Sequence, residues 1–268
     1  MTLMSSKDEQ YWLGTAHALA DASGAVIAPY FRRRLRIENK AEGRAFDPVT
    51  AADKAAERAI RKIIRERHPD HGIIGEEFAD LAGSSPFHWV IDPIDGTRAF
   101  MMGMPIWGTL IGLVHDDQPV VGLMDQPYTG ERFWGTSKGA FARSVDGKVK
   151  RVKTRSCANL SDAILTSTAP DMFETGKEAQ AFNQLSATVR MTRYGGDCYA
   201  YCMLAAGHID LVVEAGLKVF DIVPLIPVIE AAGGIVTGWD GSPATNGGRV
   251  IAAGDAALHA KARKLLST

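Results

Sequence analysis

The apolar residues of this chain change their period near residue 150, and that change limits what it can fold into. From Trp107 to Arg143, four short apolar runs (109–114, 120–124, 131–135 and 139–143) are separated by the turn-forming stretches Asp116-Asp117, 127–130 and 137–139. Short strands with tight turns predict an antiparallel meander. Beyond residue 150 strands and helices alternate. Strands are predicted over 163–167, 189–193, 209–214, 234–238 and 249–253, with helices over 177–187, 199–206, 221–232 and 256–266. Such alternation predicts an α/β unit covered on both faces. The expected organisation is two sub-domains, residues 1–150 and 151–268, joined near 151–156, with a site in the cleft between them.

Two helices precede the meander. Trp12, Leu13, Ala16, Leu19, Ala20, Val26, Ile27, Tyr30 and Phe31 recur at helical spacing, and the basic cluster Arg32-Arg33-Arg34 suits a helix C-terminus. A second helix opens at Thr50, where Thr50-Ala-Ala-Asp53 has capping-box spacing, and stops at His68-Pro69. Short strands are expected over 72–75 and 88–91. With 46% hydrophobic and 23% charged residues, the chain is not disordered as its main state. Thirty basic against 31 acidic residues exclude nucleic-acid binding through bulk charge. The longest apolar run, Ile222 to Ile229, is eight residues with two prolines inside, against the ~20 needed to span a membrane. Three cysteines without a Cys-x-x-Cys pair argue against a zinc ribbon or a disulfide framework. A cytoplasmic protein with no membrane or nucleic-acid partner is expected.

The chemistry lies in carboxylates. In Trp89-Val-Ile-Asp92-Pro-Ile-Asp95-Gly-Thr97 an apolar strand runs into Asp92, Pro93 helps to stop it, Asp95-Gly96 turns, and Thr97 opens a short helix. Two carboxylates three residues apart on a turn can converge on one point, where they repel unless a cation lies between them. Oxygen donors without a nearby His or Cys favour Mg²⁺ over Zn²⁺. Ile73-Ile74-Gly75-Glu76-Glu77 places Glu76 at a second strand end. Asp221 stands at the expected start of an apolar helix, whose spare N–H groups can hold a carboxylate. Taken singly, each is an ordinary structural residue: a turn at Asp95-Gly96, a solvated loop at Glu76-Glu77, helix caps at Asp53 and Asp221.

Taken together, Gly75-Glu76-Glu77, Asp92-Pro-Ile-Asp95-Gly-Thr97, and Phe220-Asp221 ahead of Glu230-Ala-Ala-Gly-Gly234 resemble the inositol monophosphatase superfamily over essentially the whole chain. The resemblance implies a layered αβαβα fold, shared with fructose-1,6-bisphosphatases, with an antiparallel-rich N-terminal part and an α/β C-terminal part. It implies a homodimeric, Mg²⁺-dependent phosphomonoesterase with two to three ions per site. By the family pattern, Glu76, Asp92 and the carbonyl of Ile94 hold one Mg²⁺, while Asp92, Asp95 and Asp221 hold another. Thr97 bonds the attacking water with Asp53 behind it, Glu76 is the nearby base, and the N–H groups of Gly96 and Thr97 cradle the phosphate.

Two stretches depart from the inositol branch. Thr97-Arg-Ala-Phe-Met-Met-Gly-Met-Pro-Ile-Trp-Gly-Thr and Arg193-Tyr-Gly-Gly-Asp197-Cys-Tyr-Ala-Tyr-Cys resemble the histidinol-phosphate phosphatases of the superfamily. The implied reaction is hydrolysis of L-histidinol phosphate to L-histidinol and phosphate, a step of histidine biosynthesis. Asp197 and Glu214 would then face the alcohol side, where two acids suit a cation better than a neutral polyol. Arg193 joins them in the expected substrate site. Asp197 can equally cap the helix over 199–206. Arg98 and Arg193 suit the phosphate, a dimer contact or surface ion pairs, and Lys218 suits Glu214 or the substrate. Trp107 and the exposed apolar side chains of the meander are candidates for a dimer interface. Inositol 1-phosphate, or a broad range of sugar and nucleotide phosphates, is the alternative substrate class. A binding protein that keeps the fold and works through a partner is the alternative of another kind, although every ligand position here has a competent oxygen donor.

Overall fold

The computed structural model describes residues 6–33, 37–39 and 48–267. The first helix, α1 (Ser6–Ile27), ends before the arginine cluster, because Ala28 precedes Pro29 and is steered out of the helical region. Arg32 therefore caps no helix. It takes a left-handed φ of 59°, donates to the Gly103 carbonyl at 3.1 Å and lies over the Tyr128 ring. Arg34 lies outside the described residues. A small antiparallel ribbon, β1 (Ile37–Asn39) and β2 (Pro48–Thr50), leads into α2 (Ala51–Arg67). The capping box of α2 is formed as its spacing predicts: Ala52 N donates to Thr50 Oγ1, and Thr50 N to Asp53 Oδ2.

A seven-stranded sheet follows in strict chain order: β3 (Gly72–Gly75) and β4 (Phe87–Asp95), then after α3 (Thr97–Met101) the meander β5 (Gly108–His115), β6 (Gln118–Gln126), β7 (Glu131–Thr136), β8 (Gly139–Arg143) and β9 (Val149–Val152). Only β3 and β4 pair in parallel. Strand β9 leaves no apolar signature because three of its four residues face solvent. Pro93 does not stop β4. The strand runs on to Asp95 through an irregularity that matters below.

The rest of the chain forms β10 (Ile164–Ser167), α4 (Lys177–Thr188), β11 (Met191–Tyr194), α5 (Asp197–Ala205), β12 (Leu211–Leu217), α6 (Val219–Ile222), α7 (Ile226–Ala231), β13 (Ile235–Gly238), β14 (Gly248–Ala253) and α8 (Ala256–Leu266). Their sheet has the order β11-β10-β12-β14-β13, parallel on the β11-β10-β12 side and antiparallel at β14. The single helix expected over 221–232 is two pieces, since Pro224 lacks an N–H to continue the first.

Apolar cores hold five layers together. Leu19, Ile60, Trp89, Ile91 and Leu113 join α1 and α2 to one face of the large sheet. Val90, Leu110, Met124, Leu204, Val212 and Val228 join its other face to α5–α7 and to the smaller sheet. Phe182, Leu185, Val213, Ile251 and Leu258 join the far side of that sheet to α4 and α8. The result is the αβαβα stack. Trp107 is completely buried, packed with Phe31 and Phe100, and presents nothing for a partner to cover. Among the described residues no helix is long and apolar enough to cross a membrane.

Candidate active site

Strand pairing brings the first acids together. In the parallel pair, Gly75 lies opposite Ile91, so Glu76, the residue that follows β3, comes beside Asp92 of β4. The two carboxylates are close enough for Glu76 to raise Asp92. Asp92 Oδ1 accepts the Ile94 N–H at 3.0 Å. Asp95 Oδ2 accepts the Cys198 N–H, at the start of α5, at 2.6 Å. Asp221 is not the first residue of its helix. It lies within the first turn of α6, and its Oδ2 accepts the Lys218 N–H at 2.6 Å. Three acids from two segments, β4 and α6, are thus each fixed through a carboxylate oxygen by a main-chain donor. Asp92, Asp95 and Asp221 each offer an oxygen, and these lie within 4.8 Å of one another.

The electrostatics of this cluster call for a cation. Burial, then Glu76, Asp95 and Asp221, drive Asp92 well above the usual carboxylate range. Burial, then Asp197 and Asp221, do the same to Asp95. Asp221 is pushed up to about 7, chiefly by burial, against the pull of the Lys218 amide. Buried carboxylates this close cannot all ionise without a compensating positive charge. The donors are oxygens, which fits a hard divalent cation.

Gly96 takes φ 84°, and a side chain there would meet Asp197 at 3.1 Å and the Trp107 backbone at 3.2 Å. It leads into α3, where Thr97 is the first residue. The Thr97 hydroxyl donates to the Ile94 carbonyl at 3.0 Å. Asp53 is fully buried and turned back onto Thr50, whose N–H and hydroxyl its Oδ2 accepts. Among the described residues its Oδ1 has no hydrogen-bond partner, and burial raises Asp53 to about 6. Asp53 and Thr97 share no hydrogen bond: the capping box holds Asp53 Oδ2, and the Thr97 hydroxyl donates to the Ile94 carbonyl.

Asp197 lies against Gly96, and burial raises it to about 6 while a Gly196 amide and the Arg98 charge oppose the rise. It is the first residue of α5, not its cap, and the amide a cap would accept is held by Asp95. Glu214 on β12 is buried, accepting from Thr168 N at 3.0 Å, from the Thr168 hydroxyl, and from Tyr201 OH at 2.9 Å. Burial still lifts it to about 7. Arg193 is exposed on edge strand β11. Lys218 is exposed, and its charge acts on Asp221 rather than on Glu214. Sequence reasoning missed the support beneath Glu76. Buried Glu57 accepts the Glu77 N–H at 2.8 Å and pairs at 2.7 Å with Arg61, which donates to the Phe78 carbonyl. A Glu–Arg pair four apart on a helix reads as a surface bridge, so only burial distinguishes this one.

The family model of the inositol monophosphatase family matches residues 8–268. A chloroplastic bifunctional phosphatase, IMPL2, from Arabidopsis thaliana is 40% identical over 98% of this chain and 77% of its own. A histidinol-phosphatase from Streptomyces coelicolor is 37% identical over 92% of this chain and 93% of its own. The solved structure of an inositol monophosphatase from Zymomonas mobilis superposes with a TM-score of 0.86 at 40% identity, covering 99% of this chain and 100% of that one. The layered fold, the acid cluster and these likenesses define a phosphomonoesterase. The chain belongs to the inositol monophosphatase family, whose enzymes are metal-dependent.

Proposed function

We propose that this phosphatase uses Mg²⁺ to hydrolyse L-histidinol phosphate to L-histidinol and phosphate. Glu76, Asp92 and the Ile94 carbonyl would hold one ion, and Asp92, Asp95 and Asp221 a second, with a third beside Glu76. Bound there, Mg²⁺ neutralises the phosphate, lowers the pKa of its water and steadies the leaving alkoxide. The chain's own groups orient the reactants. The Thr97 hydroxyl, its proton committed to Ile94, accepts a hydrogen bond from the attacking water and so aims it. Glu76 receives the proton. The amides at the N-terminus of α3, those of the capping Gly96 and of Thr97, would donate to the phosphate oxygens, being free of helix bonding by position.

The observation that carries the substrate is Asp197. Its carboxylate lies beside the Asp95-Gly96-Thr97 turn, in a left-handed backbone (φ 43°) that costs energy for a residue with a side chain, and it caps no helix. An extra acid at that cost, beside a site for a dianion, suits an alcohol bearing an ammonium group. Glu214, bonded on both oxygens, would add negative field behind it, and Arg193, on edge strand β11, would contribute to the substrate site. Relatives named histidinol-phosphatase support the choice. The reading includes a homodimer in the cytoplasm and the division at residue 150.

The test is phosphate release from L-histidinol phosphate and from inositol 1-phosphate, side by side, with Mg²⁺ and with EDTA. A Mg²⁺-dependent preference for histidinol phosphate above ~100-fold in kcat/KM, about 2.7 kcal/mol of differential transition-state binding, is expected. Equal kcat/KM on the two esters would contradict it and indicate a general phosphatase.

A further inference from the structure

Asp92 and Asp95 should not face the same way. On a regular strand, residues three apart point to opposite faces. Here Asp92 pairs with Leu110 and Asp95 with Gly108, so Pro93 and Ile94 on β4 stand opposite the single residue Thr109 on β5. That is a bulge, and its extra residue corrects the parity. Asp92 and Asp95 both share the face of Leu110 and Gly108, toward the middle layer where Cys198 and Asp221 lie.

A bulge leaves a carbonyl that the ladder does not pair, and a buried one needs a donor. Pro93 supplies that carbonyl and has no N–H of its own. The Thr109 hydroxyl donates to Pro93 O at 2.8 Å. Ser23 of α1 lies 3.1 Å from the Thr109 oxygen, and both side chains are completely buried. Since Thr109 has one proton and Pro93 takes it, Ser23 must be the donor to Thr109. The chain of donation runs Ser23 to Thr109 to Pro93 O, from the outer helix through the sheet to the backbone between the two acids.

We propose that Thr109, backed by Ser23, is a positioning residue that latches the bulge and thereby sets Asp92 and Asp95 as joint ligands of the metal. The latch acts from the face opposite the site and touches neither metal nor substrate. Valine at 109 keeps the shape and removes the donor. Serine keeps the donor and removes only a methyl.

This inference rests on the Mg²⁺ reading above, and the experiment separates the two. Mg²⁺ binding is measured by calorimetry on EDTA-stripped protein, for wild type, Thr109→Val, Thr109→Ser and Ser23→Ala. Thr15→Val, a buried hydroxyl in α1 remote from the bulge, controls for general loss of stability. Thr109→Val is expected to weaken Mg²⁺ binding ~10–100-fold, with Thr109→Ser within about threefold of wild type. Ser23→Ala is expected to weaken it about 3–10-fold, the loss of one hydrogen bond, and Thr15→Val not at all. In turnover, Thr109→Val should need more Mg²⁺ for half-maximal rate while KM for the ester stays put. Wild-type affinity in Thr109→Val overturns the latch, as does equal weakening in Thr109→Ser, which would mean that packing matters and the proton does not. If Thr109→Val does not fold, unchanged affinity in Ser23→Ala overturns it. Wild type that binds no Mg²⁺ overturns the metal reading itself, and the latch falls with it.

Discussion

Asp92, Asp95 and Asp221 are oriented by main-chain N–H groups, whereas Glu214 is oriented mainly by side chains, those of Thr168 and Tyr201, and Asp197 lies in a strained turn. Both groups are acidic and pushed upward by burial. A backbone donor survives almost any substitution at its own position, so the metal half of the site is set by the course of the chain. A side-chain donor can be replaced without moving the backbone. One scaffold can then keep its chemistry and change its alcohol.

The strongest way to break this contrast is at the shared ligand. Asp92→Asn should lower kcat by more than ~10³-fold, as for a major electrostatic stabiliser. Near-normal turnover would show that the acids do not hold the metal. Thr97→Ala should lose ~10²–10³-fold in kcat, because water aim is only part of the barrier. A variant that changed KM alone would move Thr97 from the water to substrate binding.

Proton linkage sharpens the same contrast. Asp221 and Glu214 at about 7 and Asp53 at about 6 all lie above their unfolded values. The folded chain therefore binds protons that the unfolded chain releases. Their contribution is full below ~pH 4 and is lost as pH rises through 6 to 7. Deprotonated acids are also what a cation needs. Mg²⁺ at ~100 times its Kd should raise the melting temperature by several degrees at pH 8, from about 2.7 kcal/mol of binding, and by much less at pH 5.5. His17 and His71, pushed down to about 4, weaken the fold below pH 6.5. The Mg²⁺ and EDTA curves are therefore compared at each pH. An equal Mg²⁺ shift at both would mean that these carboxylates do not titrate together with the metal.

The same contrast decided what was legible in the sequence. The meander and the α/β alternation could be read because their apolar runs are separated by turn residues or by helical periods, and the final helix, α8, has the bounds predicted for it. Strand β9 could not, since three of its four side chains face water. The helix broken at Pro224 was read as one because its apolar residues run straight through the break. The ligands could be proposed because the backbone that holds them is written locally, in Asp92-Pro-Ile-Asp95-Gly-Thr97. Hydroxyl donors such as Thr109 and Ser23 carry no local signature, and neither does a buried pair such as Glu57–Arg61. Their roles come from residues far apart in the chain, as with Ser23 and Thr109.

The smallest expected effect bears most directly on the division between chemistry and choice. Asparagine tolerates the left-handed backbone at 197 as aspartate does, so Asp197→Asn changes charge and little else. Its kcat/KM should be measured on L-histidinol phosphate and on inositol 1-phosphate at saturating Mg²⁺. The expected result is a KM for histidinol phosphate raised ~10-fold, a smaller fall in kcat, and inositol phosphate hydrolysis unchanged. A parallel loss on both substrates would contradict the division and make Asp197 part of the metal half.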